Sequence, residues 1–305
     1  MKAYIGIDIG GTKIAGGIVT PNGKLLLSKT AETPTEQGGK AILNAAIALT
    51  ESLMPDPKRR TFEGIGVGAG GQIDSTRGVV VSATAVLPGW AGLKIAASFQ
   101  KTFKIQTKVD NDVNALALGE YHFGAARRLS TVVFLALGTG VGGALLLDGK
   151  VHNGAHWSGG EFGHILLSMD DDIRRDIGGH IGTLESYVSG SGLVETWREL
   201  SRDRRIAITG SDIAEAAIKK QDKLAAKAIE ITGRYLGFGL VTLANALDPD
   251  LIVIGGGMSQ LGDRLLSPAR KVLKERALTG PAKCKVVKAS LGSRASIVGA
   301  AALVM

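Results

Sequence analysis

A strand, a glycine-rich turn and a second strand recur at two places in this chain, and the repeat narrows the possible architectures more than any bulk property does. The first copy is YIGIDIGGTKIAGGIVTPNGKLLL, Tyr4 to Leu27. Apolar residues run into Asp8, then a Gly10-Gly11-Thr12-Lys13 turn, a second apolar run, Pro21-Asn22-Gly23 and a third run. Asn-Gly between β-rich segments is a strong hairpin signal. The second copy begins with Thr131 to Leu137, passes through Gly138-Thr139-Gly140-Val141-Gly142-Gly143, continues as Ala144 to Leu147, and turns at Asp148-Gly149 into a run from Lys150. Two copies of one supersecondary unit, roughly 130 residues apart, imply an internal duplication and two similar domains facing each other. A length of 305 residues suits two domains better than one.

Between the repeats the spacing predicts helices at Glu36–Leu53, ended by Pro55 and Pro57, and at Lys94–Phe103, with strands at Glu63–Gly70, Gly78–Ala83 and Thr107–Asp110. Asn111-Asp112-Val113-Asn114 opens a helix over Ala115–Phe123, where Asn or Asp caps the free N–H groups of the first turn. Later helices are expected at Thr183–Leu200, Ser211–Lys220 and Asp222–Leu247, the last stopped by Asp248-Pro249. A buried strand Leu251–Ile254 ends in Gly255-Gly256-Gly257; a helix, a strand near Val286 and a small-residue helix Ala295–Val304 follow.

The net charge of +8 would suit an anionic partner, but the basic residues fall in small scattered groups such as Lys58-Arg59-Arg60 and Lys219-Lys220 without interleaved aromatics. A solvated surface is expected, with no nucleic-acid partner. Cys284 is alone, which excludes an intramolecular disulfide and any multi-cysteine metal site. The longest uncharged run, Thr131 to Leu147, is broken by four glycines and is too short to cross a bilayer, so no membrane partner is expected. The first residues enter a strand without the regions of a signal peptide; a soluble, cytoplasmic protein is the expectation.

A carboxylate at a strand end beside a run of unobstructed backbone N–H groups, a hydroxyl and an ammonium can wrap anionic oxygens; the alternative is a plain glycine-relieved hairpin. Gly138-x-Gly140-x-x-Gly143 matches the dinucleotide fingerprint literally. That fingerprint needs its third glycine to open a helix, whereas strand and hairpin follow here. Protein-kinase companion signatures and a Walker A sequence are absent. What remains is a pair of phosphate-gripping hairpins, one per domain, holding a nucleotide, with Gly255 to Gly257 passing flat against a base or ribose.

The combination DIGGTK (Asp8–Lys13), DNDVNALALGE (Asp110–Glu120), LGTGVGG (Leu137–Gly143), GGEFGH (Gly159–His164) and IGGG (Ile254–Gly257) resembles the ROK sugar kinases over nearly the whole chain. The resemblance implies an α/β fold of two ribonuclease-H-like, actin/hexokinase-type lobes with an interlobe cleft, closing over sugar and ATP. The lobes are expected at 1–114, with the C-terminal helix 292–305 packing back on the first, and at 115–291. A homodimer is also expected.

By the same resemblance, Asp112 is the general base for a sugar hydroxyl, with Asp110 the obvious rival. Asn111, Glu161, His164 and Glu185 match sugar-contacting positions. Asp8 would hold Mg²⁺ through water. Gly10, Gly11, Thr12, Gly138, Thr139 and Gly140 would grip phosphates, with Lys13 a weaker candidate, and Gly256 and Gly257 would face the adenosine.

The chain departs from the family in two places. Many members bind structural zinc with the His of Glu-x-Gly-His and three cysteines; those cysteine positions here are Asp176, Gly178 and Thr183. One histidine does not make a zinc site, so none is expected, and His180 is a poor replacement. The Asp170-Asp171-Asp172 and Gly178-Gly179 segment must then be ordered by other contacts or be mobile. The segment before Pro88-Gly89-Trp90, which usually supplies an Asn to the sugar, has no amide here; Thr84, with Gly71 and Gln72 from the adjoining loop, is the polar substitute. The expected activity is ATP- and Mg²⁺-dependent phosphorylation of a hexose 6-hydroxyl, glucose first. An N-acylhexosamine such as N-acetylmannosamine, and polyphosphate as donor, stay open. A sugar-sensing transcription regulator is the reading from another class, disfavoured because Asp8 leaves no room for a preceding helix-turn-helix.

Overall fold

The computed structural model describes residues 2–54, 61–83, 87–169, 174–203 and 205–305. The chain forms two compact units. One comprises Met1–Arg128, Gly149–Gly159 and Ser290–Met305; the other comprises Leu129–Asp148 and Gly160–Ala289.

The first unit opens with antiparallel β1 (Lys2–Ile9), β2 (Lys13–Val19) and β3 (Leu25–Glu32). The helix α1 (Gly39–Leu53) starts later than the spacing predicts, because Gly38 adopts φ 79° and separates it from a 3₁₀ turn at Thr35–Gln37. It ends at Leu53; Pro55 and Pro57 lie outside the described residues. The strand β4 (Thr61–Ala69) runs parallel to β1. A small hairpin of β5 (Gln72–Asp74) and β6 (Val79–Ser82) follows, then α2 (Ile95–Phe103), β7 (Thr107–Asn111) parallel to β4, and α3 (Asp112–Phe123). The sheet order is β3-β2-β1-β4-β7. Alternation along β1 sends Ile5, Ile7 and Ile9 into a core shared with Ile42, Ala46 and Leu49 of α1. Gly6 and Asp8 therefore point to the opposite face.

In the second unit β8 (Thr131–Leu137) and β9 (Val141–Leu147) form the repeated hairpin. The strand β9 begins at Val141 rather than Ala144, so its glycines belong to the ladder. After β10 (Lys150–Val151) in the first unit's stretch, the region expected as one helix from Thr183 is two, α4 (Leu184–Val188) and α5 (Gly190–Ser201). Ser189 breaks them: its backbone is extended and its hydroxyl caps Gly192 N–H at 3.1 Å. Then come α6 (Gly210–Lys219), α7 (Lys223–Leu247), β11 (Leu251–Gly255), α8 (Asp263–Arg276) and β12 (Lys285–Lys288). The strand β11 is parallel to both β8 and β12. The order β9-β8-β11-β12 thus repeats β2-β1-β4-β7 in sequence and in direction. The core joins Val133, Leu135 and Leu137 to Ile229, Leu236 and Leu240 of α7 and Leu265 of α8.

The last helix, α9 (Ala295–Ala302), lies flat on the first sheet. A Cβ on Gly6 would collide with the carbonyl of Ile297, and one on Gly66 with that of Ala300. Gly299 packs as closely against the Ala115 carbonyl of α3. The division therefore falls after α3 rather than before it: α3 belongs with α9 and the first sheet. Among the described residues no helix is long and apolar enough to cross a membrane.

Candidate functional site

In the first unit the β1–β2 turn is stapled from outside the motif. Gly10 N–H donates to Lys13 O at 3.1 Å, and Thr33, which the sequence did not single out, donates its hydroxyl to Gly10 O at 2.7 Å. Thr12 and Lys13 are exposed. Asp8 leaves the end of β1 on the α9 face with its pKa raised to about 6 by burial first and then by the charge of Asp112, against the Ser296 side chain and Lys13. Burial raises Asp112 as well, opposed by the Val113 N–H, which donates to Asp112 Oδ1 at 2.9 Å, and by Asn111. A carboxylate beside a second negative charge in a half-buried place suits a bound cation, so the residues present fit the Mg²⁺ that the resemblance implies.

The rival carboxylate is differently placed. Asp110 is 5 % exposed, and its Oδ1 accepts Asn111 N–H at 2.7 Å and Asn114 Nδ2 at 2.8 Å. Asn114 also donates to Asn153 Oδ1 at 3.2 Å, and Asn153 donates to Ser75 Oγ at 2.8 Å. This network holds the β7–α3 junction, and motif reading missed it because its members are far apart in the chain. Asn111 caps α3 by accepting Val113 N–H at 2.8 Å and donates to Gly71 O at 3.0 Å, so its amide is largely committed to structure. Gly71, at φ 100°, leads into Gln72 at the start of β5. Thr84 lies outside the described residues.

In the second unit the glycine turn is one wall of a cavity of about 550 Å³. Gly138 and Thr139 meet the N-terminus of α5 (Gly190, Ser191), the N-terminus of α6 (Thr209, Gly210, Ser211), and Gly257. Val194, Ala214, Ile218, Met258 and Leu261 make an apolar wall. Two helix N-termini and a glycine turn present N–H groups to an anion, while the apolar wall suits a flat base. The helix starts are specific: Thr209 and Asp212 form a capping box, and Gly190 N–H donates to Gly138 O at 2.8 Å. Gly256, at φ 79°, turns the chain out of β11, leaving Gly257 at the cavity. A larger cavity of about 790 Å³ beside α5 contains Arg174 and Arg198, which are paired with Glu199 at 2.6 Å and Glu195 at 2.7 Å.

Glu161 immediately precedes the 3₁₀ turn Phe162–His164, so Glu161 and His164 leave one turn. Glu185, in the first turn of α4, accepts Val141 N–H at 2.7 Å. The zinc that the resemblance implies does not fit the residues present. Gly178 offers no ligand, and the Thr183 hydroxyl is spent donating to Asp176 Oδ2 at 3.0 Å. Asp176 instead gathers the two histidines: His180 Nδ1 lies 3.2 Å from Oδ1 and His164 Nδ1 3.5 Å from Oδ2. Within the segment whose ordering the sequence left open, Gly179 N–H donates to Asp176 O at 3.0 Å and Asp176 N–H to His180 O at 2.9 Å. Residues 170–172 lie outside the described residues.

Two units that share one strand order, each with a glycine turn between its first two strands, define a protein of the actin/hexokinase class. The family model described as "ROK family" matches residues 4–305, and the chain belongs to that family. A glucokinase of Halalkalibacterium halodurans is 33 % identical, over 99 % of this chain and 94 % of its own length. An N-acetyl-D-glucosamine kinase of Citrobacter koseri is 34 % identical, over 92 % of this chain and 95 % of its own. Among solved structures, a ROK family glucokinase from Streptomyces griseus in complex with glucose and AMPPNP superposes with a TM-score of 0.82 at 32 % identity, covering 99 % of this chain and 98 % of that one.

Proposed function

We propose that this protein transfers the terminal phosphoryl group of ATP to the 6-hydroxyl of a hexose, with glucose the preferred acceptor. The observation that carries the reading is the second-unit cavity, where Gly138 and Thr139, the N-termini of α5 and α6, and Gly257 surround a space of nucleotide size. Its apolar wall takes the adenine, and the N–H groups take the phosphates. Asp112 accepts the proton of the 6-hydroxyl as that oxygen bonds to phosphorus and the bond to the leaving ADP breaks. Its raised pKa makes it a better base than an ordinary surface carboxylate. Asp8 would hold Mg²⁺ through water, and the ion would supply charge neutralisation on the phosphates. Glu161, His164, Glu185 and the Asn111 amide supply partners for sugar hydroxyls, which must be satisfied when buried.

The N-acylhexosamine reading keeps a place because the stretch 82–87 lacks the amide that would mark a glucose site, and because an N-acetyl-D-glucosamine kinase is as similar as the glucokinases. A coupled assay across glucose, mannose, fructose, N-acetylglucosamine and N-acetylmannosamine, with ATP and polyphosphate as donors, decides. Highest kcat/KM for glucose with ATP is expected. An N-acetylated sugar ahead of glucose transfers the reading to that acceptor, and no turnover with any pair sinks it.

A further inference from the structure

The Asp176 side chain has no exposed surface, yet it belongs to a loop whose neighbours are open: the His164 and His180 side chains are 45 % and 63 % exposed. A buried carboxylate is tolerated only where its acceptor sites are filled. Here three hydrogen-bonding groups and a fourth ring nitrogen face roughly four lone-pair sites. The backbone N–H of His180 at 2.9 Å and its ring Nδ1 at 3.2 Å address Oδ1. The Thr183 hydroxyl at 3.0 Å and His164 Nδ1 at 3.5 Å address Oδ2. Burial alone would raise this carboxyl, but the His180 N–H, the Thr183 hydroxyl and the His180 ring together hold it below the usual range. An ionised carboxylate only accepts, so a ring nitrogen that bonds to it carries its proton; His180 Nδ1 lies within hydrogen-bond reach and His164 Nδ1 faces the other oxygen from 3.5 Å.

We propose that Asp176 is a metal-free positioning residue: it does the work of an ion at this place by fixing His164 in the Nδ1–H tautomer and by anchoring the start of α4, which carries Glu185. The inference rests on His164 and Glu185 contacting the sugar. With Nδ1 turned to Asp176, His164 presents the bare lone pair of Nε2, an acceptor for one sugar hydroxyl. The Thr183 hydroxyl, while donating to Asp176, also accepts Ser186 N–H at 3.3 Å as the cap of α4. Ile177 N–H, next in the loop, lies 3.4 Å from Glu185 Oε1. One carboxylate thus sets two of the three sugar-facing side chains of this unit, His164 and Glu185. The three ligand-type atoms of His164, Asp176 and His180 lie within 4.8 Å of one another, so a divalent cation is the rival occupant. It would have to displace the imidazole protons that fill the carboxylate.

The test uses the full chain. Without sugar, the ring ¹⁵N shifts of His164, assigned with His164→Gln, should show Nδ1–H in the wild type and the opposite tautomer in Asp176→Asn, whose amide offers an N–H. Asp176→Ala and Asp176→Asn should raise the sugar KM about tenfold or more, as loss of an orienting partner does, and leave the KM for ATP within about twofold. Should Asp176→Ala fail to fold, the isosteric Asn variant carries the measurement. Protein stripped with a chelator and returned to Mg²⁺ should keep its sugar KM and contain no stoichiometric transition metal. A stoichiometric metal whose removal raises the sugar KM overturns the proposal, as does an unchanged His164 tautomer or an unchanged sugar KM in Asp176→Asn. A wild type that phosphorylates no sugar sinks the kinase reading instead, and leaves the tautomer result standing.

Discussion

Glu185 and Gly140 belong to one structure: the Glu185 carboxylate takes the Val141 N–H at 2.7 Å, and a Cβ on Gly140 would stand 2.6 Å from its Oε2. The start of α4 and the exit of the glycine turn are therefore fitted together, although one was expected to serve sugar and the other phosphate. Gly140→Ala should push the carboxylate away and shift the turn at once. Steady-state kinetics should show KM raised for both substrates and kcat/KM down by about tenfold or more, about 1.4 kcal/mol of transition-state stabilisation. An effect on the ATP KM alone would show that the two elements move independently.

Asp112 and Asp110 separate by the same kind of comparison. Asp112→Asn should lower kcat by about two to four orders of magnitude while sugar affinity, measured by titration calorimetry, stays within a few-fold. Asp110→Asn keeps an oxygen for the Asn111 N–H, so its loss should appear in thermal stability and only weakly in kcat. The reverse pattern would move the base to Asp110.

The duplication was legible because it is written in local signals: glycine turns, Asn-Gly, and apolar runs with period 2. The two sheets follow them strand by strand. What the sequence did not show is where a side chain spends its hydrogen bonds, near or far along the chain. The Thr183–Leu200 stretch reads as one helix until Ser189 is seen capping Gly192, and Asn153 is unremarkable until it meets Asn114 and Ser75. His180 was weighed only against a zinc site, and the carboxylate of Asp176, 3.2 Å from its ring Nδ1, went unremarked. The cavity proposed to take the nucleotide was half legible. Gly138, Thr139 and Gly257 were marked by motif, while Ser191 and Thr209 arrive only because two helices begin there.

Asp8 makes stability depend on pH in a definite direction. Its pKa is about 6 in the folded chain against 3.8 for the free side chain. The folded state thus holds the proton more tightly, and the stabilisation this gives is complete below 3.8 and lost as pH rises through about 6. In the absence of Mg²⁺ and nucleotide, Asp8→Asn should therefore gain on the wild type as pH rises from 4 to 8, by at most ~3 kcal/mol for roughly two pKa units. Denaturant midpoints across that range measure it. A difference that is flat with pH would mean Asp8 stays ionised in the folded protein.

The seating of α9 supplies a test of the first unit's architecture that does not depend on activity. The helix lies against the backbone of β1 and β4 because Gly6 and Gly66 have no side chains to hold it off. Gly66→Ala places a methyl group on the Ala300 carbonyl, and the helix must lift or the strand must bend. Overpacking of this kind costs about 1–3 kcal/mol, which for a chain of this size lowers Tm by several degrees, roughly 2–4 °C per kcal/mol. Gly280→Ala is the control, since nothing lies within 4 Å of a Cβ there; removing backbone freedom at an open position should leave Tm unchanged or slightly raised. Equal melting of Gly66→Ala and the wild type would show that α9 does not rest on the sheet in solution.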